Sequence, residues 1–387
     1  MSVTVSLPYG DGTTERVTLR EPGNWQRPAA PATSRIAYAA AHVVADPFAD
    51  NAPGLPAALD WDATLSVRRN LWSWGLGVAE AMDTAQRGMG LDWTATQELI
   101  RRSAAEAAAC GGRIVAGAAT DQAAPVLNSL DEVAAAYTEQ VEFVQGTGAT
   151  AVVMASRQLA ALAGGPDDYL SVYERILSQV TTPVLLHWLG DMFDPALAGY
   201  WGSRDLDEAT KTFVSLVQTH AAAIDGVKVS LLDAEREVRL RELLPPAVRV
   251  YTGDDFNYPE LIAGDGQRSS HALLGAFAAI APAASTALQR LDAGDEAGFL
   301  SILEPTVPLS RHIFAAPTQY YKTGIAFLSW LNGFQPGFTM VGGLQSGRSV
   351  PHLVQTFRLA DAAGLLLDPE LAAQRMTQYL AVSGVTA

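Results

Sequence analysis

The chain is poor in cysteine and in basic residues. Its 387 residues include a single cysteine, Cys110, which excludes an intramolecular disulfide and any cysteine-rich metal site. It carries 26 lysine and arginine residues against 41 acidic ones, which gives a net charge of −15. A surface this acidic repels the phosphates of nucleic acids and of anionic membranes, so we expect neither as a partner.

The chain also lacks long apolar runs and a targeting pattern at its amino terminus. No run of about 18 apolar residues could cross a bilayer. The first residues do not show the basic, then apolar, then small-residue order of a secretory signal. We therefore expect a soluble, cytoplasmic protein. The hydrophobic content of 49% is enough for a large core.

Short apolar stretches alternate with helical patterns along most of the chain. The stretches that read as strands are Ile36 to His42, Gly77 to Met82, Arg113 to Ala118, Ala151 to Met154, Pro183 to His187, Gly226 to Val229, Val248 to Tyr251 and Ser270 to Phe277. The helical patterns between them include Thr94 to Ala109, Leu130 to Val144, Asp168 to Gln179 and Asp207 to Ala222. Eight strands with intervening helices predict an α/β fold, a TIM (β/α)8 barrel.

Two further segments flank the predicted barrel. Alternating residues around Asp11-Gly12 predict an amino-terminal β-hairpin, which a proline-rich linker follows. Residues after about position 297 are mostly helical in pattern. We therefore predict three parts: a hairpin and linker at 1–32, the barrel at 33–296 and a helical region at 297–387.

Lys228 is the most informative residue of this pattern. It is the lone cation in an otherwise apolar strand, Gly226 to Val229. Burial lowers the pKa of a lysine, and the neutral amine can then attack a carbonyl group. The alternative is a strand-end lysine whose ammonium group reaches solvent or pairs with a carboxylate.

In a TIM barrel the active site forms where the strands end. The polar residues at the predicted strand ends are His42, Asp83, Thr84, Thr120, Asp121, Ser156, Arg157, His187, Lys228, Asp254, Asp255 and His271. Lys228 is the predicted catalytic amine. His187 is the predicted general acid/base, because imidazole titrates near neutral pH.

Several of these segments resemble the dihydrodipicolinate synthase and N-acetylneuraminate lyase superfamily of class I aldolases. Gly226-Val227-Lys228 resembles the Gly-Ile-Lys of that family, and Tyr251 to Asp255 is similar to its Tyr-Ser-Gly-Asp-Asp. Pro317 with Lys322 resembles a stretch of its carboxyl-terminal helices. The resemblance implies a barrel, a Schiff base on Lys228, no cofactor and a homo-oligomer.

The chain departs from this family where a keto-acid carboxylate would be held. The Gly-Thr-Thr-Gly-Glu loop is replaced by Met82 to Gln86, in which only Thr84 matches in type. His187 stands in place of the proton-transferring tyrosine, and no arginine follows it before Asp194. Residues 191–207 look like an insertion. These departures favour a hydroxy-ketone or a keto-sugar over a keto acid.

We predict that the same strand ends bind the substrate. Asp83, Asp254 and Asp255 would orient its hydroxyl groups, while Trp188, Trp201 and Tyr251 would stack on a sugar ring. His42 and Thr84 complete the predicted binding set.

Two other functions remain open. The first is a metal-dependent isomerase, epimerase or aldolase, with a divalent ion held among His42, Asp83, His187, Asp254 or Asp255, and His271. The second is a non-catalytic sugar-binding barrel that retains the lysine by descent.

Overall fold

The computed structural model describes residues 2–9 and 11–385. Eight parallel strands close into a barrel in the order in which they occur along the chain. They are β3 (Ala37–Ala40), β4 (Gly77–Glu80), β5 (Ile114–Ala118), β6 (Thr150–Val153), β7 (Val184–Leu189), β8 (Ile224–Ser230), β9 (Arg249–Thr252) and β10 (His271–Leu274). β10 pairs with β3 and closes the barrel. The predicted TIM barrel is confirmed.

An antiparallel hairpin precedes the barrel, as predicted. It consists of β1 (Thr4–Pro8) and β2 (Thr14–Thr18). Apolar residues of the hairpin, Val5 and Leu7, share a core with the last helices of the chain. The two ends of the chain therefore pack against each other on the outside of the barrel.

Helices surround the barrel and follow it. They are α1 (Trp61–Ser73), α2 (Trp93–Cys110), α3 (Leu130–Gly146), α4 (Arg157–Leu162), α5 (Pro166–Leu177), α6 (Leu206–Thr219), α7 (Ala234–Leu243), α8 (Tyr258–Ala263), α9 (Ala276–Asp292), α10 (Glu296–Leu303), α11 (Val307–Ile313), α12 (Tyr321–Leu331), α13 (Val350–Ala362) and α14 (Pro369–Val382). Several begin at a side chain that caps the first turn, such as Asp92 before α2 and Ser129 before α3. These caps fix where each strand–helix loop ends.

One predicted strand included the start of a helix. The apolar stretch Ser270 to Phe277 forms a strand only as far as Leu274, and α9 begins at Ala276. Gly275 separates the two elements. A continuous apolar run contains no signal for this change, because a buried strand and a buried helix both need apolar residues. The division of the chain at 32 and 296 stays a prediction.

The barrel has two apolar layers. Small and branched residues fill its interior, among them Ala79, Val115, Val152 and Leu185. A larger layer lies between the strands and the surrounding helices. Neighbouring residues of one strand therefore face different layers, which decides what can reach the site. Within the described residues, no helix is both long and apolar enough to span a membrane.

Candidate active site

Lys228 is held inside the barrel near the carboxyl end of β8. It lies in register with His187 of β7 and Tyr251 of β9, and its side chain is 8% exposed. The loop after β9 passes close to it: a Cβ atom on Gly253 would lie 2.9 Å from Lys228 Cε. Burial lowers the pKa of Lys228, although the charges of Asp83 and Asp255 oppose that change. More of the reactive neutral amine is therefore present near pH 7 than for an ordinary lysine.

His187 lies beside Lys228 as a buried, neutral imidazole. Its Nε2 is 3.1 Å from Ser230 Oγ, and its Nδ1 has no hydrogen-bond partner within the described part of the chain. Burial, and then the charge of Lys228, hold the pKa of His187 well below its ordinary value of 6.5. A neutral imidazole with one free nitrogen can accept a proton. Sequence reasoning missed Ser230, which follows Lys228 by two positions and so shares its face of the strand.

Two carboxylates flank the amine. Asp255 follows β9, and its Oδ1 accepts a hydrogen bond of 2.8 Å from the backbone N–H of Ala276. Burial raises the pKa of Asp255 to about 7, while this hydrogen bond and the charge of Lys228 act in the opposite direction. Asp83 is half-buried in a short 3-10 turn after β4. The surroundings of the amine are therefore acidic.

Tyr321 reaches this site from the first turn of α12. Its hydroxyl group is 2.7 Å from Thr84 Oγ1, and its ring stacks on Phe314 with centroids 4.4 Å apart. Burial, followed by the charge of Asp83, raises the pKa of Tyr321 well above 10, so the phenol stays protonated. Thr84, a predicted substrate ligand, is fully buried and its hydroxyl group is engaged with Tyr321. Sequence reasoning did not identify Tyr321.

A cleft of about 250 Å³ opens beside Asp83. It is lined by Asp83, Arg87, Met89, Arg157, Leu189, Phe193, Asp194, Pro195, Gln319, Tyr320, Tyr321 and Lys322. Lys322 was assigned no role from the sequence, yet its side chain is only 2% exposed. The chain contains only three lysines, Lys211, Lys228 and Lys322, and this scarcity could have drawn attention to Lys322. Two of the three, Lys228 and Lys322, are buried at this end of the barrel.

The three aromatic residues predicted to stack on a sugar do not line the site. Trp188 follows His187 on β7 and therefore points outward, where it packs against Phe213 of α6 and Trp201. Trp201 is fully buried in the same outer layer. Tyr251 points into the lower part of the barrel, and its hydroxyl group donates a 3.0 Å hydrogen bond to Asp225 at the start of β8. These three predictions were wrong.

Asp254 stabilises its own loop. Its carboxylate accepts hydrogen bonds from the backbone N–H groups of Phe256 and Asn257 and from the side chain of Asn257. All of its hydrogen bonds therefore lie within the turn that carries Asp255. The predicted contact of Asp254 with substrate hydroxyl groups is not supported by this geometry.

The two other predicted histidines are also engaged elsewhere. His42 Nε2 is 2.6 Å from Gln335 Oε1, and burial lowers the pKa of His42 to about 4. His271 is the first residue of β10, at the opposite end of the barrel, where its Nδ1 accepts a hydrogen bond from the N–H of Ile36. The predicted strand, Ser270 to Phe277, already placed His271 near its amino end, so assigning this residue to the carboxyl-end rim was wrong.

The alternative metal site is not assembled. Across residues 2–9 and 11–385, no group of three or more His, Cys, Asp or Glu side chains is arranged to hold an ion. Asp83 and His187 both lie near Lys228, whereas His42 bonds to Gln335, Asp254 bonds within its own turn and His271 lies at the other end of the barrel. The predicted ligands are therefore not all brought together in one place.

The family comparison covers almost the whole chain. A family model described as "protein of unknown function (DUF993)" matches residues 5–385. The chain belongs to this family. No curated protein matches its sequence.

Solved structures with the same fold come from the dihydrodipicolinate synthase family. A prophage protein of that family from E. coli K12, in complex with pyruvate, aligns with a TM-score of 0.66 at 14% identity, over 86% of this chain and 99% of that one. The dihydrodipicolinate synthase of Aquifex aeolicus gives a TM-score of 0.63 at 14% identity, over 86% and 99%. The pyruvate complex from Acinetobacter baumannii gives 0.62 at 15%, over 86% and 100%.

This DUF993 chain therefore has the fold of the dihydrodipicolinate synthase family, and the resemblance predicted from its sequence is confirmed at that level. The fold is one on which class I aldolases and lyases are built. Identities of 13–15% show the fold and leave the reaction to be argued from the side chains.

Proposed function

We propose that the protein is a class I lyase or aldolase that forms a Schiff base between Lys228 and a ketone. The observation that carries the proposal is a buried amine of lowered pKa with a neutral imidazole beside it. The amine adds to the carbonyl carbon, and loss of water then gives the imine. His187 is the group that moves a proton at the neighbouring carbon, and Ser230 orients its ring through the hydrogen bond to Nε2.

We propose further that the reacting end of the substrate is neutral, as in a hydroxy-ketone or a keto-sugar. Asp83 and Asp255 both act on Lys228, so a carboxylate attached directly to the carbonyl carbon would face two acidic groups, each of which repels it when ionised. At about 4 Å and an effective dielectric of about 20, one such repulsion amounts to about 4 kcal/mol. Hydroxyl groups, in contrast, make strong hydrogen bonds to carboxylates.

The test is trapping with borohydride, which reduces an imine to a stable adduct. The wild-type protein is treated with dihydroxyacetone, fructose or pyruvate at equal concentration, and the intact mass is measured. We expect adducts with the two hydroxylated ketones and little with pyruvate. Peptide mapping should place the adduct on Lys228.

Two variants complete the experiment. Lys228→Met should form no adduct at that peptide, whereas Lys211→Met, which alters the exposed lysine of α6, should match the wild type. Preferential labelling by pyruvate would restore a keto-acid lyase. A wild-type protein that forms no adduct with any ketone, yet binds sugars, would favour the non-catalytic barrel.

A further inference from the structure

Lys322 is a buried cation without an anionic hydrogen-bond partner. In the described chain, the hydrogen bond of its Nζ goes to Met89 Sδ, at 3.2 Å. A thioether is a weak acceptor and carries no charge. Burying an ammonium group is costly unless an opposite charge or strong acceptors compensate it. The position therefore offers a site for an anion.

Lys322 lies at a cleft in which such an anion fits. Lys322 and Arg157 both line the cleft of about 250 Å³. Arg157 binds Asp194 through Nε at 2.5 Å, and its Nη1 lies beside the backbone of Gly88. Its terminal nitrogens make no further hydrogen bond among the described residues. Arg157 is the exposed cation of the cleft and Lys322 is a buried one, whereas the third cation, Arg87, is buried and already paired with Asp121.

The cleft adjoins the surroundings of Lys228, because it is lined by Asp83 and by Leu189, which lies in register with Ser230 of β8. Asp83 lines the cleft, and its charge raises the pKa of both Lys228 and Lys322. Tyr321 also lines the cleft, and the charges of Asp83 and Asp255 both raise the pKa of its phenol. One end of this space is therefore acidic and contains the reactive amine, and the other end is cationic.

We propose that the cleft binds an anionic group at the far end of a polyhydroxylated ketone whose carbonyl group reacts at Lys228. The group is a phosphate monoester or a carboxylate, since both are oxyanions that ammonium and guanidinium groups bind. The inference rests on the proposed function and adds the charge of the substrate. A keto acid does not meet this description, because its carboxylate adjoins the carbonyl carbon.

The protonation state of Lys322 agrees with this role. Burial lowers its pKa to about 8, with Asp83 opposing that change and Arg157 adding to it. The side chain is therefore mostly a cation at pH 7. Above pH 8 it loses its charge, so binding of the anion should weaken with increasing pH.

The experiment compares ligands that differ in the distal group. Fructose, fructose 6-phosphate and 5-ketogluconate are trapped with borohydride on the wild type and on Lys322→Met, and the concentration for half-maximal adduct is measured. For each ligand, the half-maximal concentration for the variant is divided by that for the wild type. This ratio cancels differences between the ligands in the fraction of open-chain ketone. Lys211→Met is the matched control, because it removes the exposed lysine instead.

We expect Lys322→Met to raise this concentration about 10- to 100-fold for the anionic ligands, which corresponds to one charged hydrogen bond. The ratio for fructose should stay near one. Whichever of the phosphate and the carboxylate shows the larger ratio identifies the natural group. Equal ratios for fructose and for both anions would overturn the inference, as would an adduct mapped to Lys322 itself.

Calorimetric titration separates this inference from the proposed function. If no ketone forms an adduct, the Schiff base is wrong, but fructose 6-phosphate should still bind the wild type more tightly than Lys322→Met. Equal binding to the two proteins would then overturn the anion site. If Lys322→Met does not fold by circular dichroism, Arg157→Gln replaces it. That variant should weaken binding of the anions and leave fructose unchanged, and any other pattern contradicts the proposal.

Discussion

The buried carboxyl group of Glu237 predicts how stability depends on pH. Glu237 lies on α7 and is only 1% exposed, and its Oε1 accepts a 2.7 Å hydrogen bond from Ser270 Oγ. Burial raises its pKa to about 8, and this effect outweighs the hydrogen bonds from Ser270 and Thr252 and the charge of Arg241. The folded protein therefore holds Glu237 protonated at pH 7, whereas the unfolded chain ionises it.

The size of the effect follows from the two pKa values. The ordinary pKa of a glutamate is 4.5, and its pKa in the folded protein is about 8. Because one pKa unit corresponds to about 1.4 kcal/mol, the difference amounts to about 5 kcal/mol. The folded pKa is the higher one, so this stabilisation is complete below pH 4.5 and is lost as the pH rises through about 8.

Glu237→Gln removes this dependence because an amide does not titrate. The free energy of unfolding should be measured by urea denaturation of the wild type and the variant between pH 5 and 9. The wild type should lose about 4 kcal/mol relative to the variant over this range. All other titrating groups are shared by the two proteins, so their contributions cancel in the difference.

Glu242→Gln is the matched control, because Glu242 is exposed on the same helix. The difference in free energy of unfolding between Glu242→Gln and the wild type should not change with pH in this way. A difference between wild type and Glu237→Gln that stays constant across the pH range would refute the reasoning. It would mean that Glu237 is ionised in the folded protein.

Two further predictions concern the proposed proton-transfer residue and a buried ion pair. His187→Phe should retain the borohydride adduct but slow deuterium exchange at the α-carbon of dihydroxyacetone, followed by NMR, by about 10²- to 10⁴-fold; unchanged exchange would remove His187 from the mechanism. Arg68→Met should lower the free energy of unfolding by about 3–5 kcal/mol, because it leaves the carboxylate of Glu80 buried without its bidentate partner. Arg69→Met, which removes a largely exposed ion pair, should change it by less than about 1 kcal/mol.

The order of strands and the position of Lys228 could be predicted because both depend on local patterns. Apolar stretches of strand length recur along the chain, and each was found within a few residues of its predicted bounds. A lone lysine in such a stretch stands out without any knowledge of tertiary structure. The same is true of His187, which lies on the neighbouring strand.

The errors have physical reasons that differ from residue to residue. Trp188 and His187 are adjacent on one strand, and strand geometry alone places them on opposite faces, so the sequence did contain this information. Asp254 could not be separated from Asp255 in that way, because both lie in a loop. Which of the two faces the amine depends on the hydrogen bonds of the turn.

Tyr321 and Lys322 were missed because they reach the site from α12, far along the chain from the strands. No local pattern in the sequence indicates which part of a carboxyl-terminal helix covers the open end of a barrel. Their place depends on how α12 packs against the 3-10 turn that contains Asp83 and Thr84. That is a long-range contact, and only the folded structure contains it.

The scarcity of lysine has a consequence under the proposed function, in which the protein acts on reactive carbonyl compounds. Ketones and aldehydes also modify exposed amines at random, which is the chemistry of glycation. Of the three lysine side chains, only that of Lys211 is largely exposed, while arginine supplies nearly all the other side-chain positive charge. A carbonyl substrate at high concentration would thus meet few exposed lysine amines, and the proposed reaction would proceed with little random modification of the protein.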